Sequence, residues 1–525
     1  MNWYKLRGFK WAASTMMLTS SLYEGVSPTQ SFIIAAGVAL LIIGIFNGFR
    51  NLPLPLPPGP KGYPIIKNAF DIPSKHAWLK YHEWSKQFGS DVLHLSAMGQ
   101  SIVVLNSARS IHDLLESRSA IYSDRPWTAM INEAGYRDGP LTVSSGPRHR
   151  TFRRLSSEVL SPPRVQEWRT LQEEKVQILV KELLEKPQLF RAHIQRFISS
   201  LLLEISHGHT VEGDDDPFVR NAKELSDDFI EFTTPGRHLV DILPILWFVP
   251  SWVGLFSKKK AIAARKKLRE GLHWSYRQVE EQVADGTARP SFAVSLIERN
   301  SSPSQEDISI YQWISLATYA AGVDTSSSAL TSFILSMALN PDKQRKAQAE
   351  LDRVIGSGSH PTFQHRSNLP YVESIIKEVY RLNPVCPLAL PHALKSRRDD
   401  EYCGWRIPKG STVIANSWAV LHDAELYPSP FDFRPERFLE RSLGESSSSK
   451  EPMDPDPRKF TFGSCPGQFL VDDTMFIAVA TVLAFFNIGP LTSDNEPGYT
   501  PYLISQPEAF ACSITPRTTA DQKFA

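Results

Sequence analysis

The chain has 525 residues, of which 42% are hydrophobic and 22% charged, and its formal net charge is +1. This composition is typical of a folded protein with a large core, and the near-zero charge argues against a nucleic-acid partner, because nucleic-acid-binding domains usually carry a basic excess. The four cysteines are widely spaced and include no CxxC pair, which argues against zinc and disulfide frameworks and favours a reducing compartment.

The first predicted element is a membrane anchor at residues 32–49. This stretch is apolar apart from Asn47, and as a helix it would extend for about 27 Å, close to the roughly 30 Å thickness of the hydrocarbon core. A cleaved signal peptide is the alternative, although its apolar core is usually shorter and nearer the first residue. We expect a retained single span preceded by a tail at residues 1–31, and the basic residues on its two sides do not decide its orientation.

A proline-rich hinge is predicted at residues 50–60, because closely spaced prolines fix φ and remove N–H donors, which makes a stiff spacer. Residues 61–525 contain no internal repeat and no long interior linker, so they are predicted to form one catalytic domain. Its first elements are a helix at residues 76–88 and a β-hairpin that turns at residues 98–100. Helical patterns then dominate over a long stretch from Arg148 onward.

Three later segments lack a long regular pattern. Residues 239–256 are apolar but interrupted by Pro244 and Pro250, so they are predicted to touch a membrane surface or line a channel, with a buried loop as the alternative. Residues 442–457 are rich in Ser, Glu, Asp and Pro, which predicts an exposed loop. Short strands are predicted within residues 388–412.

A polar run interrupts the apolar helix predicted at residues 308–339. Gly322, Asp324 and Thr325 belong to this run, which continues with three serines. Such side chains compete for backbone hydrogen bonds and are costly to bury unpaired, while glycine permits a local kink. Taken alone, the run is more typical of a tolerated polar patch than of a site, so its meaning depends on the motifs that follow.

Two charged motifs come next. Glu378 and Arg381 are three residues apart and therefore share one face of a predicted helix. That spacing is common on ordinary helix surfaces and carries little information by itself. The sequence PERF at residues 435–438 then supplies Arg437.

The last motif is FGSCPG, which contains Phe462, Gly463 and Cys465 and precedes an apolar helix predicted at about residues 468–486. A thiolate at a helix N-terminus is stabilised by the helix dipole and by free N–H groups, and it can ligate haem iron. A lone cysteine before a helix is usually no more than a buried residue. Its position after the two charged motifs is what makes it a candidate ligand.

In order and spacing, these motifs resemble the cytochrome P450 family, in the general style of its fungal microsomal members. The resemblance implies a mainly α fold with small β-sheets and haem held between two long helices. It also implies that Cys465 is the axial ligand of the haem iron and that Asp324 and Thr325 deliver protons during oxygen activation.

The same resemblance implies a buried charged triad of Glu378, Arg381 and Arg437. A buried charge needs full pairing, and a surface pair would not need a distant third member. The cofactor implied is haem, iron protoporphyrin IX.

Haem contacts are implied for His149, Arg153 and His392, and for Phe462 and Gly463 beside the ligand. His149 stands where the family has a tryptophan. A second departure is the loop before Cys465, which is shorter than the family pattern and lacks its usual arginine.

The nearest cations before Cys465 are Arg458 and Lys459. Because the loop is short, these two residues are the available substitutes for the missing arginine. The shorter connection displaces them, and His149, Arg153 and His392 would compensate only in part, so the hypothesis is that this chain binds haem more loosely than its relatives do.

The function implied is a haem-dependent monooxygenase that inserts one oxygen atom from O2 into a small apolar substrate. Its electrons would come from NADPH through a membrane-bound reductase, and its place would be the endoplasmic reticulum membrane with the catalytic domain facing the cytosol. The alternative is a degenerate, weakly active or inactive relative tethered to the lipid bilayer, suggested by the shortened loop. A secreted hydrolase is a third hypothesis, but no G-x-S-x-G motif supports it.

Overall fold

The computed structural model describes residues 54–517 apart from residues 65, 212, 214, 235–236, 243–245, 248–257, 440–454 and 494. The predicted tail and membrane anchor and the first four residues of the hinge, 50–53, lie outside the described residues. So do most of the apolar segment at residues 239–256 and most of the loop at residues 442–457.

Helices dominate the described part of the chain, and the predicted mainly α class with small β-sheets is confirmed. The α-helices are α1 Ala77–Phe88, α2 Ala108–Ile111, α3 Ser119–Tyr122, α4 Ala129–Glu133, α5 Pro147–Leu160, α6 Pro162–Glu167, α7 Arg169–Glu185, α8 Phe190–His207, α9 Pro217–Thr233, α10 Leu239–Ile242, α11 Lys258–Ala284, α12 Phe292–Arg299, α13 Gln305–Leu339, α14 Pro341–Ile355, α15 Pro370–Leu382, α16 Ser417–Leu421, α17 Arg458–Phe462 and α18 Gln468–Phe485. A π-helix at His112–Ser117 and 3-10 turns at Tyr136–Asp138, Pro187–Leu189, Phe363–Asn368 and Pro435–Phe438 complete the helical elements.

The strands form three small sheets. They are β1 Val92–Ala97, β2 Gln100–Leu105, β3 His392–Ala393, β4 Asp400–Tyr402, β5 Trp405–Ile407, β6 Thr412–Ala415, β7 Phe486–Leu491 and β8 Cys512–Pro516. One sheet has the order β1-β2-β6-β3, and the others pair β4 with β5 and β7 with β8. In the first, β1 and β2 form the predicted hairpin, and β6 runs parallel to β2 and antiparallel to β3.

The central helix α13 begins three residues earlier than its apolar pattern indicates. The Ser304 side chain accepts the N–H of Asp307, and the Asp307 carboxylate accepts the N–H of Ser304. This reciprocal capping box satisfies free donors of the first turn and starts the helix at a polar segment. α13 packs against α8 and α18 in the main hydrophobic core.

α18 is the one helix of the described residues that is long and apolar enough to cross a membrane. It is also 78% buried inside the protein. A helix that is apolar on every side and buried inside the protein is a core helix. It is distinct from the membrane anchor predicted at residues 32–49.

The chain divides into two units of very different size. The larger contains Leu56–Asp400 and Ile407–Ala525, and it holds every predicted site residue. The smaller contains Glu401–Arg406 together with the chain up to Pro55, and within it the N–H of Arg406 donates to the Pro55 carbonyl at 2.8 Å.

Candidate active site

The residues before α18 form a tight turn instead of an extended loop. The N–H of Cys465 donates to the carbonyl of Phe462 at 2.9 Å. Between them, Gly463 has φ 53° and ψ −120°, which are the angles of the first central residue of a type II′ turn. This conformation favours glycine because a Cβ is disfavoured at positive φ. Two residues, Gly463 and Ser464, therefore suffice to connect α17 to Cys465.

Cys465 lies directly before the N-terminus of α18, whose N-cap is Gly467. Cys465 is an exposed residue, but protein surrounds its sulfur, and the resulting desolvation raises the pKa of the thiol. The N–H groups of Gly467 and Gln468 and the charge of Arg153 act in the opposite direction and favour the thiolate. All four cysteines of the chain are free thiols.

Basic side chains from three distant segments gather near this turn. Arg153 on α5 donates to the carbonyl of Ser464 at 2.7 Å. One turn before it, half-buried His149 has a pKa below its usual range, chiefly because of burial and then because of the charges of Arg153 and Arg125. The ring of His392 bonds to the carbonyl of Tyr122 through Nδ1 at 2.8 Å.

Burial and then the charge of Arg125 lower the pKa of His392 to about 4. Arg125 was not among the predicted site residues, although its guanidinium donates to the carbonyls of Leu390 and Pro391 at 3.0 and 2.9 Å. Burial lowers the pKa of Arg125 to about 10, against the opposing effect of Asp124. The group therefore stays cationic at neutral pH.

The polar run of α13 has one face that is open. Ala321 is exposed in the middle of this core helix, and Ala317 and Thr325, four residues away on either side, are partly exposed. Thr325 Oγ1 donates to the carbonyl of Ala321 at 2.8 Å. Because positions four apart share a helix face, these residues line a space beside α13.

Asp324 points to a neighbouring helix. Its Oδ2 accepts a hydrogen bond from Ser226 Oγ on α9 at 2.5 Å. Asp227, next to Ser226, has a raised pKa because of desolvation first and the nearby Asp324 carboxylate second. Ser226 was not predicted, since it lies 98 residues away along the chain and belongs to no motif.

Glu378, Arg381 and Arg437 are brought together in the interior. Arg381 donates to both oxygens of Glu378 at 2.8 Å, and neither side chain has exposed surface. Nε of Arg437 lies 3.2 Å from the same carboxylate, and the N–H of Arg434 donates to it at 2.8 Å. The remaining donors of the two arginines bind the carbonyl of Leu421 at the end of α16 and backbone carbonyls of residues 428–432 in the loop that follows.

Arg458 does not fill the role of a free cation near Cys465. Its guanidinium binds Asp456 at 2.7–3.2 Å and Asp472 at 3.2–3.3 Å. Lys459 beside it is exposed. Among the described residues, Arg153 contacts the turn directly, and the charge of Arg125 acts on His149 and His392.

A separate small cavity of about 40 Å³ lies under β6 and α1. Its wall is mainly apolar and includes Trp78, Thr234, Leu388, Ala389, Ile414 and Tyr502. Leu388 and Ala389 belong to the connection between α15 and β3, which also carries the carbonyl partners of Arg125.

Comparison with known proteins identifies the family of the chain. The sequence model of the cytochrome P450 family matches residues 57–511. Cytochrome P450 monooxygenase 208 of Postia placenta is 38% identical over 92% of this chain and 94% of its own length. Cytochrome P450 monooxygenase COX2 of Coprinopsis cinerea is 37% identical over 94% and 95%, and the tryptamine 4-monooxygenase of Psilocybe cyanescens is 35% identical over 88% and 93%. Since these matches extend over nearly the whole described chain, the protein belongs to the cytochrome P450 family of oxidoreductases.

Proposed function

We propose that this protein is a haem-dependent monooxygenase that inserts one oxygen atom from O2 into a small, largely apolar organic substrate. The observation that carries the proposal is the environment of Cys465, an exposed residue whose sulfur receives two N–H groups at the start of a core helix. These N–H groups favour the thiolate and oppose the desolvation that raises the pKa of the thiol. When bound, haem supplies the oxygen chemistry, and thiolate ligation favours O–O cleavage.

The side chains near the turn suit the two carboxylates of haem. Arg125 and Arg153 are cations that donate mainly to backbone carbonyls, so their charge is available to an anionic group. Charge-assisted hydrogen bonds of this kind are stronger than neutral ones. The neutral ring of His149 offers one N–H donor. The N–H of the neutral His392 ring is engaged by the Tyr122 carbonyl, so His392 is proposed to line the haem site beside Arg125 and not to donate to the carboxylates.

Asp324 and Thr325 are proposed to manage protons. The Thr325 hydroxyl holds the Ala321 carbonyl on the open face of α13, where it is also able to accept a hydrogen bond. Asp324 is partly exposed and hydrogen-bonded to Ser226, so it stands next to a second proton-bearing group. A positioned acid of this kind typically contributes about 10²–10⁴-fold to a rate.

Electrons are proposed to come from NADPH through a membrane-bound reductase, in keeping with the resemblance to microsomal members. The proposed place is the endoplasmic reticulum membrane, held by a single span at residues 32–49, with residues 61–525 as the catalytic domain on the cytosolic side. The apolar stretch itself supports the anchor.

A second candidate is a relative that retains haem poorly and turns over slowly or not at all. Two observations favour it: the four-residue turn before Cys465 contains no arginine, and Arg458 is engaged by two carboxylates. Losing one charge-assisted hydrogen bond, worth about 1.5–3 kcal/mol, would weaken haem retention by roughly ten- to a hundred-fold.

Isotope labelling tests the monooxygenase. Membranes that contain the full chain and a P450 reductase are given NADPH, a panel of apolar compounds and ¹⁸O2. The proposal predicts products that carry a single ¹⁸O atom, formed only when both NADPH and the reductase are present. Oxygen drawn from labelled water instead of O2 would contradict it, and low haem content together with the absence of any NADPH-dependent product would favour the second candidate.

A further inference from the structure

Two charged side chains are joined across the turn that carries Cys465. Arg458 begins α17, seven residues before Cys465, and Asp472 lies in the second turn of α18, seven residues after it. Nη1 of Arg458 approaches both oxygens of Asp472, at 3.3 and 3.2 Å. We propose that this pair is a clip that positions Cys465 for iron binding, an inference that rests on the proposed function.

The clip is the centre of a larger charged network. Arg366 donates to Asp472 and Asp473 at 2.6 Å each and to Glu373 at 2.7 Å. Arg169 at the start of α7 donates to Asp473 at 2.8 Å. Asp456 completes the network by holding the other edge of the Arg458 guanidinium.

Burial separates this network from an ordinary surface ion pair. The side chains of Asp472 and Arg366 are only 16% and 18% exposed. Exposed pairs contribute little because water screens them and both side chains lose freedom. Here the guanidinium of Arg458 binds two carboxylates at once. Several hydrogen bonds therefore fix the position of its side chain together.

The opposite side of α17 is held by the helix that carries the buried triad. The ring of Phe462 meets the ring of Tyr380 edge-on, with centroids 5.1 Å apart. Thr461 Oγ1 donates to the Tyr380 carbonyl at 3.2 Å. Tyr380 lies between Glu378 and Arg381 on α15, so α17 is fixed to the rigid core on one side and to α18 on the other.

The short turn makes this restraint necessary. A single i to i+3 bond closes it, and Gly463 at its corner has open space around it. Without the clip, α17 is still held on the side of α15, but α18 and the turn can shift relative to each other and the sulfur leaves the N–H groups of Gly467 and Gln468. Among their contacts in the described part of the chain, Arg458 and Asp472 touch neither the open face of α13 nor the sulfur, so they are positioning residues.

The test compares Asp472→Asn with the matched control Asp473→Asn in the full-length chain. Both changes remove one carboxylate from the same network. Of these two aspartates, only Asp472 contacts Arg458 in the described part of the chain. Hydrogen exchange of the peptide spanning residues 459–471 is measured by mass spectrometry, with and without haem. The clip predicts exchange on the order of ten-fold faster in Asp472→Asn and within two-fold of wild type in Asp473→Asn.

A spectroscopic signature connects the clip to Cys465. In haem-loaded protein, the reduced, carbon-monoxide-bound spectrum should lose its thiolate band on the order of ten-fold faster in Asp472→Asn than in wild type or in Asp473→Asn. Asp472→Glu keeps the charge, so its thiolate band should persist for most of the wild-type lifetime. If Asp472→Asn folds poorly, Arg458→Lys serves instead, because it keeps the charge but loses the fork.

Each outcome decides the proposal. If hydrogen exchange of residues 459–471 is no faster in Asp472→Asn than in wild type, the clip does not restrain the turn. If exchange is faster but the thiolate band persists as long as in wild type, the clip does not position Cys465. A wild-type chain that never shows a thiolate band contradicts the proposed function, and the exchange measurement still decides the clip in that chain.

Discussion

At the scale of single residues, the surroundings of Cys465 act on its charge in two opposing ways. Desolvation disfavours the thiolate, whereas the N–H groups of Gly467 and Gln468 and the Arg153 charge favour it. Haem iron would add a further positive charge at the sulfur, and a metal of this kind deprotonates a coordinating thiol outright. The balance in this chain therefore suits a cysteine that is neutral until a cation binds it.

Proton delivery is also decided by single residues. Asp324→Asn and Thr325→Ala should leave haem binding intact but lower product formation by roughly 10²–10⁴-fold, because each removes a positioned proton donor. Reducing equivalents should then appear as peroxide or water. Thr331→Ala is the matched control, since Thr331 makes the same hydroxyl-to-carbonyl bond one turn and a half further along α13, at 2.7 Å to Ser327. Product formed per NADPH is the measurement, and unchanged coupling in both variants would refute the roles.

At the scale of elements, the triad joins α15 to the loop that ends in PERF. Arg381→Ala would leave Glu378 as an underpaired carboxylate in a site without exposed surface, which costs on the order of 3–5 kcal/mol. That is a large part of a typical domain's stability. We expect poor folding and little bound haem, measured by denaturant unfolding and haem content. Arg164→Ala removes an exposed arginine–glutamate pair and should change stability little; equal stability of the two variants would show that the triad is not structural.

The turn before α18 gives a second element-scale prediction. Gly463→Ala places a Cβ at φ 53°, which should cost about 1–3 kcal/mol and lower the haem content. Gly467→Ala is the control in the same segment, because Gly467 has φ −80° and its added Cβ would lie 3.8 Å from the Cys465 sulfur, an ordinary contact. Similar melting temperatures for both alanine variants would contradict the importance of the turn.

How much the sequence predicts also differs between elements. Periodic apolar patterns are local signals, so α1, the β1–β2 hairpin, α13 and α18 were predicted within a few residues. The start of α13 was placed too late because a capping box is polar and lies outside the apolar pattern. Arg125 and Ser226 were missed for a different reason. Each sits in a segment without a motif, and only the tertiary fold brings it to His392 or to Asp324.

At the scale of the whole molecule, membrane attachment is predicted to depend on the residues before the catalytic domain. Deleting residues 1–50 should release the protein into the soluble fraction without unfolding it, because a lipid-facing span does not contribute to the domain core. Flotation of membranes, together with the haem spectrum of the released protein, is the measurement. The apolar segment at residues 239–256 is expected to leave only weak residual binding, so undiminished attachment would place the anchor elsewhere.

The central claim is that Cys465 binds haem iron, and the absorption spectrum of the reduced, carbon-monoxide-bound protein tests it most directly. The full-length chain is compared with four single variants: Cys465→Ala, Cys386→Ala, Cys403→Ala and Cys512→Ala. Only Cys465 stands at a helix N-terminus among the four cysteines, all of which lie in the described part of the chain. The account predicts a thiolate-type Soret band in the wild type and in the last three variants, and its loss in Cys465→Ala. A thiolate-type band that persists in Cys465→Ala would contradict the account.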